Sequence, residues 1–109
     1  METTTLTAVR VQISRYTSDA TPGWVECRLT DAWGTEWLFE EKVPVVSADE
    51  LNEQTHYPQP GIIACQVIKE WQDEDGRELA TIDTEKPWGV ESSDGTKQFD
   101  IVADQLTNW

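Results

Sequence analysis

The chain has 109 residues, and its 21 acidic and 8 basic side chains give a formal net charge of −13 at neutral pH. This length supports one domain with a modest core. We take residues 1–109 as that single domain, with residues 1–5 as a frayed tail. Such a charge repels nucleic-acid phosphates and anionic membranes, so we expect neither as a partner.

Short alternating segments separated by turn residues predict an all-β protein. The predicted strands are Leu6 to Tyr16, Trp24 to Thr30, Thr35 to Glu41, Ile62 to Trp71, Arg77 to Asp83 and Gln98 to Ala103. A further segment, Lys42 to Val46, contains Pro44 and is predicted to be an edge strand or a bend. This spacing favours a small, partly closed β-barrel of six to seven strands in antiparallel hairpins, with a β-sandwich as the alternative.

Two segments depart from simple alternation. Ser47-Ala-Asp-Glu50 matches a helix capping box, but no apolar run follows it, so we expect one helical turn at most. The segment Ile62 to Trp71 carries apolar residues on both faces, which predicts one central or strongly curved strand.

The pattern Pro-Gly-apolar-apolar-x-Cys occurs twice, as PGWVEC at 22–27 and PGIIAC at 60–65. We interpret each copy as the entry to a hairpin. Cys27 and Cys65 each alternate in step with the apolar residues of their predicted strand, so they face the same side as those residues. This favours the interpretation that both cysteines are small core residues. A disulfide between them remains open if the two hairpins are related by a twofold.

The sequence provides no convincing set of metal or catalytic residues. Two separated cysteines and one histidine do not make a structural zinc site, and no C-x-x-C pair occurs. His56 is predicted to be an exposed loop residue. The stretch DEDGRE at 73–78 lacks the register of a calcium loop, so solvated turn charges are the better interpretation. We therefore expect no cofactor and no metal.

Six tryptophans are the most unusual feature of the composition. Trp37 and Trp71 fit core positions, whereas the patterns place Trp24, Trp33 and Trp88 outward or in loops. Exposed aromatic side chains mark protein interfaces or carbohydrate platforms. Alternatively, these rings plug the open ends of a barrel.

These features predict a non-enzymatic module that binds or inhibits a basic protein, in the manner of an immunity or inhibitor protein. The predicted partner-binding residues are Trp24, Trp33, Trp88, Glu26, Glu36 and Glu91. The alternative is a small-ligand binding protein, for example for a carbohydrate, or a minor enzyme, with its site where the Trp88 and His56 loops meet. A third hypothesis is self-association through an exposed strand edge. The N-terminal residues METTTLTAVR lack the features of an export signal, so we expect a cytoplasmic protein.

The segments PGWVEC, DAWG, EKVPVV, PGIIAC and PWGVES resemble those of small acidic bacterial proteins, a type known mostly as uncharacterised domains. The resemblance spans roughly residues 8 to 105 and implies no activity and no catalytic residues. The predicted barrel is also similar to compact β-barrels that form second domains of translation factors. That similarity concerns the fold alone and implies no function.

Overall fold

The computed structural model describes residues 6–109, and the predicted frayed tail at 1–5 lies outside the described residues. The described part of the chain contains eight strands. They are β1 (Thr7–Ser18), β2 (Trp24–Thr30), β3 (Glu36–Lys42), β4 (Gln59–Ala64), β5 (Gln66–Gln72), β6 (Glu78–Asp83), β7 (Gln98–Val102) and β8 (Leu106–Asn108). Two short helical segments accompany them, α1 (Val43–Val46) and a 3₁₀ turn (Ala103–Gln105).

The strands form two antiparallel sheets. The first has the order β3-β2-β1-β4, and β8 pairs with the start of β1. The second has the order β5-β6-β7. Within residues 6–109 neither sheet closes on itself, so the all-β prediction is confirmed and the barrel prediction is not.

Both sheets contribute to one apolar core. Its buried side chains include Val9, Ile13, Val25, Cys27, Phe39, Ile63, Ile82, Phe99 and Ile101. The rings of Phe39 and Phe99 join the sheets with a centroid distance of 5.7 Å. Trp37 packs edge-on against Phe99 at 5.3 Å, which agrees with its predicted place at the core. The period-two alternation of β1 and β2 arises because one face of each strand covers this cluster.

The predicted continuous strand from Ile62 to Trp71 is wrong. The chain leaves the first sheet after Ala64 and enters the second at Gln66. Between them, the backbone N–H of Cys65 donates to the carbonyl of Thr7 at 2.9 Å. Apolar residues occur at both parities because this segment serves two different sheets.

The helical turn occurs before Ser47 and not after it. Pro44 lies in the first turn of α1, where its missing N–H costs nothing. The backbone N–H of Ser47 closes the turn on the Val43 carbonyl, and its Oγ accepts from the Asp49 N–H at 3.0 Å. The side chain therefore makes a bond two residues ahead, as in a serine turn, and no helix follows. The predicted capping box is wrong, and the segment predicted as an edge strand or a bend is a helical turn rather than a strand.

The two Pro-Gly pairs have different roles. Gly23 has a φ of +99° and ends a turn, where its N–H donates to the Ala20 carbonyl at 2.7 Å. Gly61 lies inside β4, opposite Val11. A Cβ at Gly61 would lie 2.6 Å from Ile13 Cγ1 and 3.2 Å from the Val46 carbonyl oxygen. The first pair turns the chain, whereas the second permits close packing.

Gly61→Ala should therefore lower the free energy of unfolding by about 1–3 kcal/mol, the usual cost of overpacking a core. Urea unfolding followed by circular dichroism measures the change. Combining it with Ile13→Ala should cost less than the sum of the two single changes, because the clashing side-chain atoms are gone. A strictly additive double variant would contradict this interpretation of Gly61.

Candidate functional site

Two tryptophans from different sheets meet at the surface. Trp33 lies in the turn between β2 and β3, and Trp71 lies on β5. Their ring centroids are 6.2 Å apart, with an angle of 42° between the planes. Trp33 is 55% exposed, the largest exposed fraction among the bulky apolar side chains of residues 6–109. Together with the loop between β5 and β6, these two side chains form a surface that we call the tryptophan cleft. It measures about 390 Å³ and is lined by Trp33, Trp71, Gln72, Asp73, Glu74, Asp75 and Arg77.

The turn that presents Trp33 is organised by one carboxylate. Asp31 Oδ1 accepts from the backbone N–H groups of Trp33 and Thr35, each at 2.9 Å. Its other oxygen accepts from the Trp37 indole N–H at 2.9 Å. Gly34 supplies the positive φ of +83° that completes the predicted turn.

A row of hydrogen bonds beneath the cleft orients both indoles. The Trp71 N–H donates to Thr81 Oγ1 at 3.2 Å, and the Thr81 hydroxyl donates to Asp100 Oδ1 at 2.6 Å. The Trp33 N–H donates to the other oxygen of Asp100 at 3.4 Å. One carboxylate on β7 thus positions tryptophans that are 38 residues apart (71 − 33) in the sequence.

The β2–β3 turn is also fastened to the second sheet through its main chain. The Ala32 N–H donates to the Asp100 carbonyl at 2.8 Å, and Arg77 Nη1 donates to the Ala32 carbonyl at 2.9 Å. The Arg77 guanidinium lies 5.4 Å from the Trp33 ring centroid. We call these contacts of Ala32, Asp100 and Arg77 the turn latch. They fix the relative position of the two walls of the cleft.

The cleft has an acidic rim that is only partly neutralised. Arg77 Nε donates to Asp73 Oδ2 at 2.7 Å, and this hydrogen bond holds the pKa of Asp73 below its ordinary value. Glu74 and Asp75 form no ion pair with any side chain of the described chain. Lys69 Nζ lies 5.3 Å from the centroid of the Trp71 ring.

Trp71 is not a core residue, and this corrects the expectation from its parity. A β-bulge between Val67 and Lys69 adds one residue to β5. Val67 therefore packs against the core while Trp71, of the same parity, bonds to Thr81 on the opposite face. The sequence contains no clear signal of this bulge, and sequence reasoning therefore missed Trp71.

The predicted anchors Trp24, Trp33 and Trp88 lie in three separate environments. Trp24 begins β2, and Lys42 Nζ lies 5.7 Å from its ring. Trp88 is 44% exposed and packs edge-on against Trp109 at 5.5 Å. Of the three, only Trp33 lines the tryptophan cleft.

The predicted acidic residues each approach a cation of the same chain. Glu26 pairs with Arg15 at 3.2 Å, and Glu36 pairs with Arg28 at 3.6 Å. Glu91 lies 4.0 Å from Lys97. Glu26, Glu36 and Glu91 do not line the tryptophan cleft.

The loops of the alternative ligand site make their contacts separately. Trp88 packs against Trp109, whereas the His56 carbonyl accepts from the Gln59 side chain at 2.6 Å. Within residues 6–109, no hydrogen bond or aromatic pair joins these two loops.

The cysteines are buried free thiols, which confirms the core interpretation and not the disulfide. Burial raises the pKa of Cys27 to about 12 and that of Cys65 to about 11. Neither sulfur is available as a thiolate at neutral pH. Residues 6–109 contain no cluster of three or more His, Cys, Asp or Glu side chains placed to hold a metal ion.

The chain matches no protein-family model, and no curated protein and no solved structure is significantly similar to it. The resemblance to small acidic bacterial proteins therefore assigns no role to any residue. No helix in the described part of the chain is long and apolar enough to cross a membrane.

One further carboxylate has an unusual environment. Glu41 on β3 is partly buried, and this burial raises its pKa above the ordinary value, with Glu91 adding to the effect and Lys42 opposing it. Its charge also contributes to the raised pKa of Cys27, after burial itself. The ionised form of Glu41 therefore opposes folding at neutral pH.

Asp100→Ala should loosen both walls of the cleft. The change removes the acceptor of the part-buried Thr81 hydroxyl and of the exposed Trp33 N–H, which should lower the free energy of unfolding by about 0.5–1.5 kcal/mol, the usual net contribution of a hydrogen bond. Hydrogen exchange of the indole N–H groups should accelerate at Trp33 and Trp71, while Trp37, bonded to Asp31, serves as the internal control. Asp104→Ala removes one exposed acidic group elsewhere and should change neither rate. Unchanged exchange at Trp33 in the Asp100 variant would contradict the proposed role of this carboxylate.

Glu41→Gln should stabilise the protein at neutral pH. A carboxyl whose pKa is raised in the folded state favours folding when protonated, and this contribution is lost as the pH rises through the folded pKa. The increase in the free energy of unfolding caused by Glu41→Gln should therefore be present above the raised pKa of Glu41. It should vanish as the pH falls below the ordinary pKa of 4.5. Urea midpoints across this range measure it, with the exposed Glu40→Gln on the same strand as control. A gain that persists in acid would exclude this explanation.

Proposed function

We propose that the chain is a non-enzymatic cytoplasmic interaction module that binds or inhibits a basic protein through the tryptophan cleft. The observation that supports this most directly is the exposed Trp33 ring beside an acidic rim, in a chain of net charge −13. Exposed aromatic residues are frequent binding hot spots. An acidic surface raises the rate of association with a basic protein and favours it over other partners.

The cleft is suited to this role because it is preorganised. The Asp100 carboxylate and the turn latch hold the indole of Trp33 before any partner arrives. Little side-chain entropy is then lost on binding, which leaves more of the contact energy as affinity. The scaffold that we propose is a sandwich-like pair of sheets, supported by the core that both sheets share.

Self-association through a strand edge is less well supported. The outer strand β5 carries the exposed charges Lys69 and Glu70 next to its bulge. Charged side chains and bulges are devices that prevent edge-to-edge pairing. The alternative site at the Trp88 and His56 loops is not favoured by any hydrogen bond or aromatic pair between those loops in the described part of the chain.

Affinity capture with mass spectrometry, performed at low and high salt, tests the proposed function. The wild-type chain should retain a basic protein at low salt and release it at high salt, because the attraction between exposed charges is screened. Trp33→Ala should lose this partner, whereas Trp24→Ala should keep it. Captured proteins without a basic bias, or capture that is insensitive to both salt and Trp33, would contradict the proposal.

A further inference from the structure

We infer that the tryptophan cleft receives an arginine side chain of the partner, which stacks on an indole and binds the carboxylates of Glu74 and Asp75. This inference rests on the proposed function and specifies which chemistry the partner presents. It concerns one side chain at one site, whereas the proposed function concerns a basic protein in general.

The chain already contains one copy of the arrangement that we infer. The Arg77 guanidinium lies 5.4 Å from the Trp33 ring centroid, and its Nε donates to Asp73 at 2.7 Å. At this place, an indole and a neighbouring carboxylate therefore bind one guanidinium together. More than half of the Trp33 surface is still exposed, at 55%, so the ring has area left for a second contact.

The charges of the cleft favour a cationic occupant. Three carboxylates and one guanidinium line it, namely those of Asp73, Glu74, Asp75 and Arg77. Arg77 is bound to Asp73, and the other two acidic groups, Glu74 and Asp75, pair with no cation within residues 6–109. The loop that carries them is ordered, since the Asp75 N–H donates to Asp73 Oδ1 at 3.0 Å. The main chain of this loop therefore has a defined path, and the exposed Glu74 and Asp75 side chains extend from it at the rim of the cleft.

Arginine fits this combination better than lysine. Its guanidinium is planar, stacks on aromatic faces and presents a fork of N–H donors to carboxylates. A lysine ammonium is a compact, strongly hydrated charge that gains less from an indole. A neutral sugar would stack on the indoles and donate its hydroxyl groups to the carboxylates, but it would bring no positive charge to balance them.

Fluorescence anisotropy with labelled, glycine-spaced peptides tests the inference. Three peptides of equal length contain arginine, lysine or citrulline, which keeps the shape of arginine without its charge. At low salt the arginine peptide should bind most tightly, the lysine peptide less tightly, and the citrulline peptide not measurably. Trp33→Ala should weaken the arginine peptide by about two- to fivefold, as expected for an exposed cation–π contact. Trp24→Ala should leave its affinity unchanged.

A second pair of variants keeps the test valid if Trp33→Ala disturbs the fold. Glu74→Gln combined with Asp75→Asn removes two charges at the rim, and Glu36→Gln combined with Glu40→Gln removes two exposed charges on β3. The first pair should weaken the arginine peptide more than the second, with thermal unfolding as the check on folding. Equal losses in the two pairs would overturn the inference.

The outcomes separate this inference from the proposed function. Equal, salt-sensitive binding of arginine and lysine peptides that ignores Trp33 would overturn the arginine site and leave a basic partner standing. Absence of binding by either basic peptide at low salt would count against both. Displacement of the arginine peptide by a neutral oligosaccharide would overturn the inference in favour of a sugar site.

Discussion

The tryptophan cleft depends on the turn latch, the set of contacts that joins the β2–β3 turn to the second sheet. The Asp100 carbonyl accepts from the Ala32 N–H, and the Arg77 guanidinium donates to the Ala32 carbonyl. Because main-chain bonds fix the path of the turn, the Trp33 side chain has a defined place relative to β5. The same two residues also contact the Trp33 ring, through the Asp100 carboxylate and the Arg77 guanidinium. These contacts therefore fix the position of Trp33 next to Trp71, which lies on β5 of the second sheet.

Much of the fold follows from local patterns, because alternation in β1, β2 and β7 reflects one buried face. The patterns fail where the backbone departs from regular pairing. The change of sheet at Cys65 and the bulge after Val67 each alter what the following residues face. The exposed position of Trp33 can be predicted from the Asp31–Gly34 turn, since this local signal places Trp33 outside a strand. The position of Trp71 cannot, because it depends on the bulge and on pairing with β6, and neither is encoded within its own segment.

The acidic side chains differ in whether a cation of the same chain pairs with them. The three acidic residues that the sequence favoured, Glu26, Glu36 and Glu91, approach arginine or lysine side chains of the same chain. Exposed ion pairs of this kind add little stability, but they reduce the charge offered to a partner. Glu74 and Asp75 line the tryptophan cleft and form no ion pair within residues 6–109. Counting residues gives the net charge, whereas only the tertiary structure identifies which carboxylates remain uncompensated.

The most direct measurement is a titration of the protein with the arginine peptide, followed through the ¹⁵N–H resonances of the indoles. The two rings of the tryptophan cleft, Trp33 and Trp71, should shift progressively and saturate together. The indoles of Trp24, Trp37, Trp88 and Trp109 should keep their positions, because they lie in other environments. Saturable shifts centred on Trp88 and Trp109, or small shifts spread over all six indoles, would contradict the assignment of the cleft as the binding site.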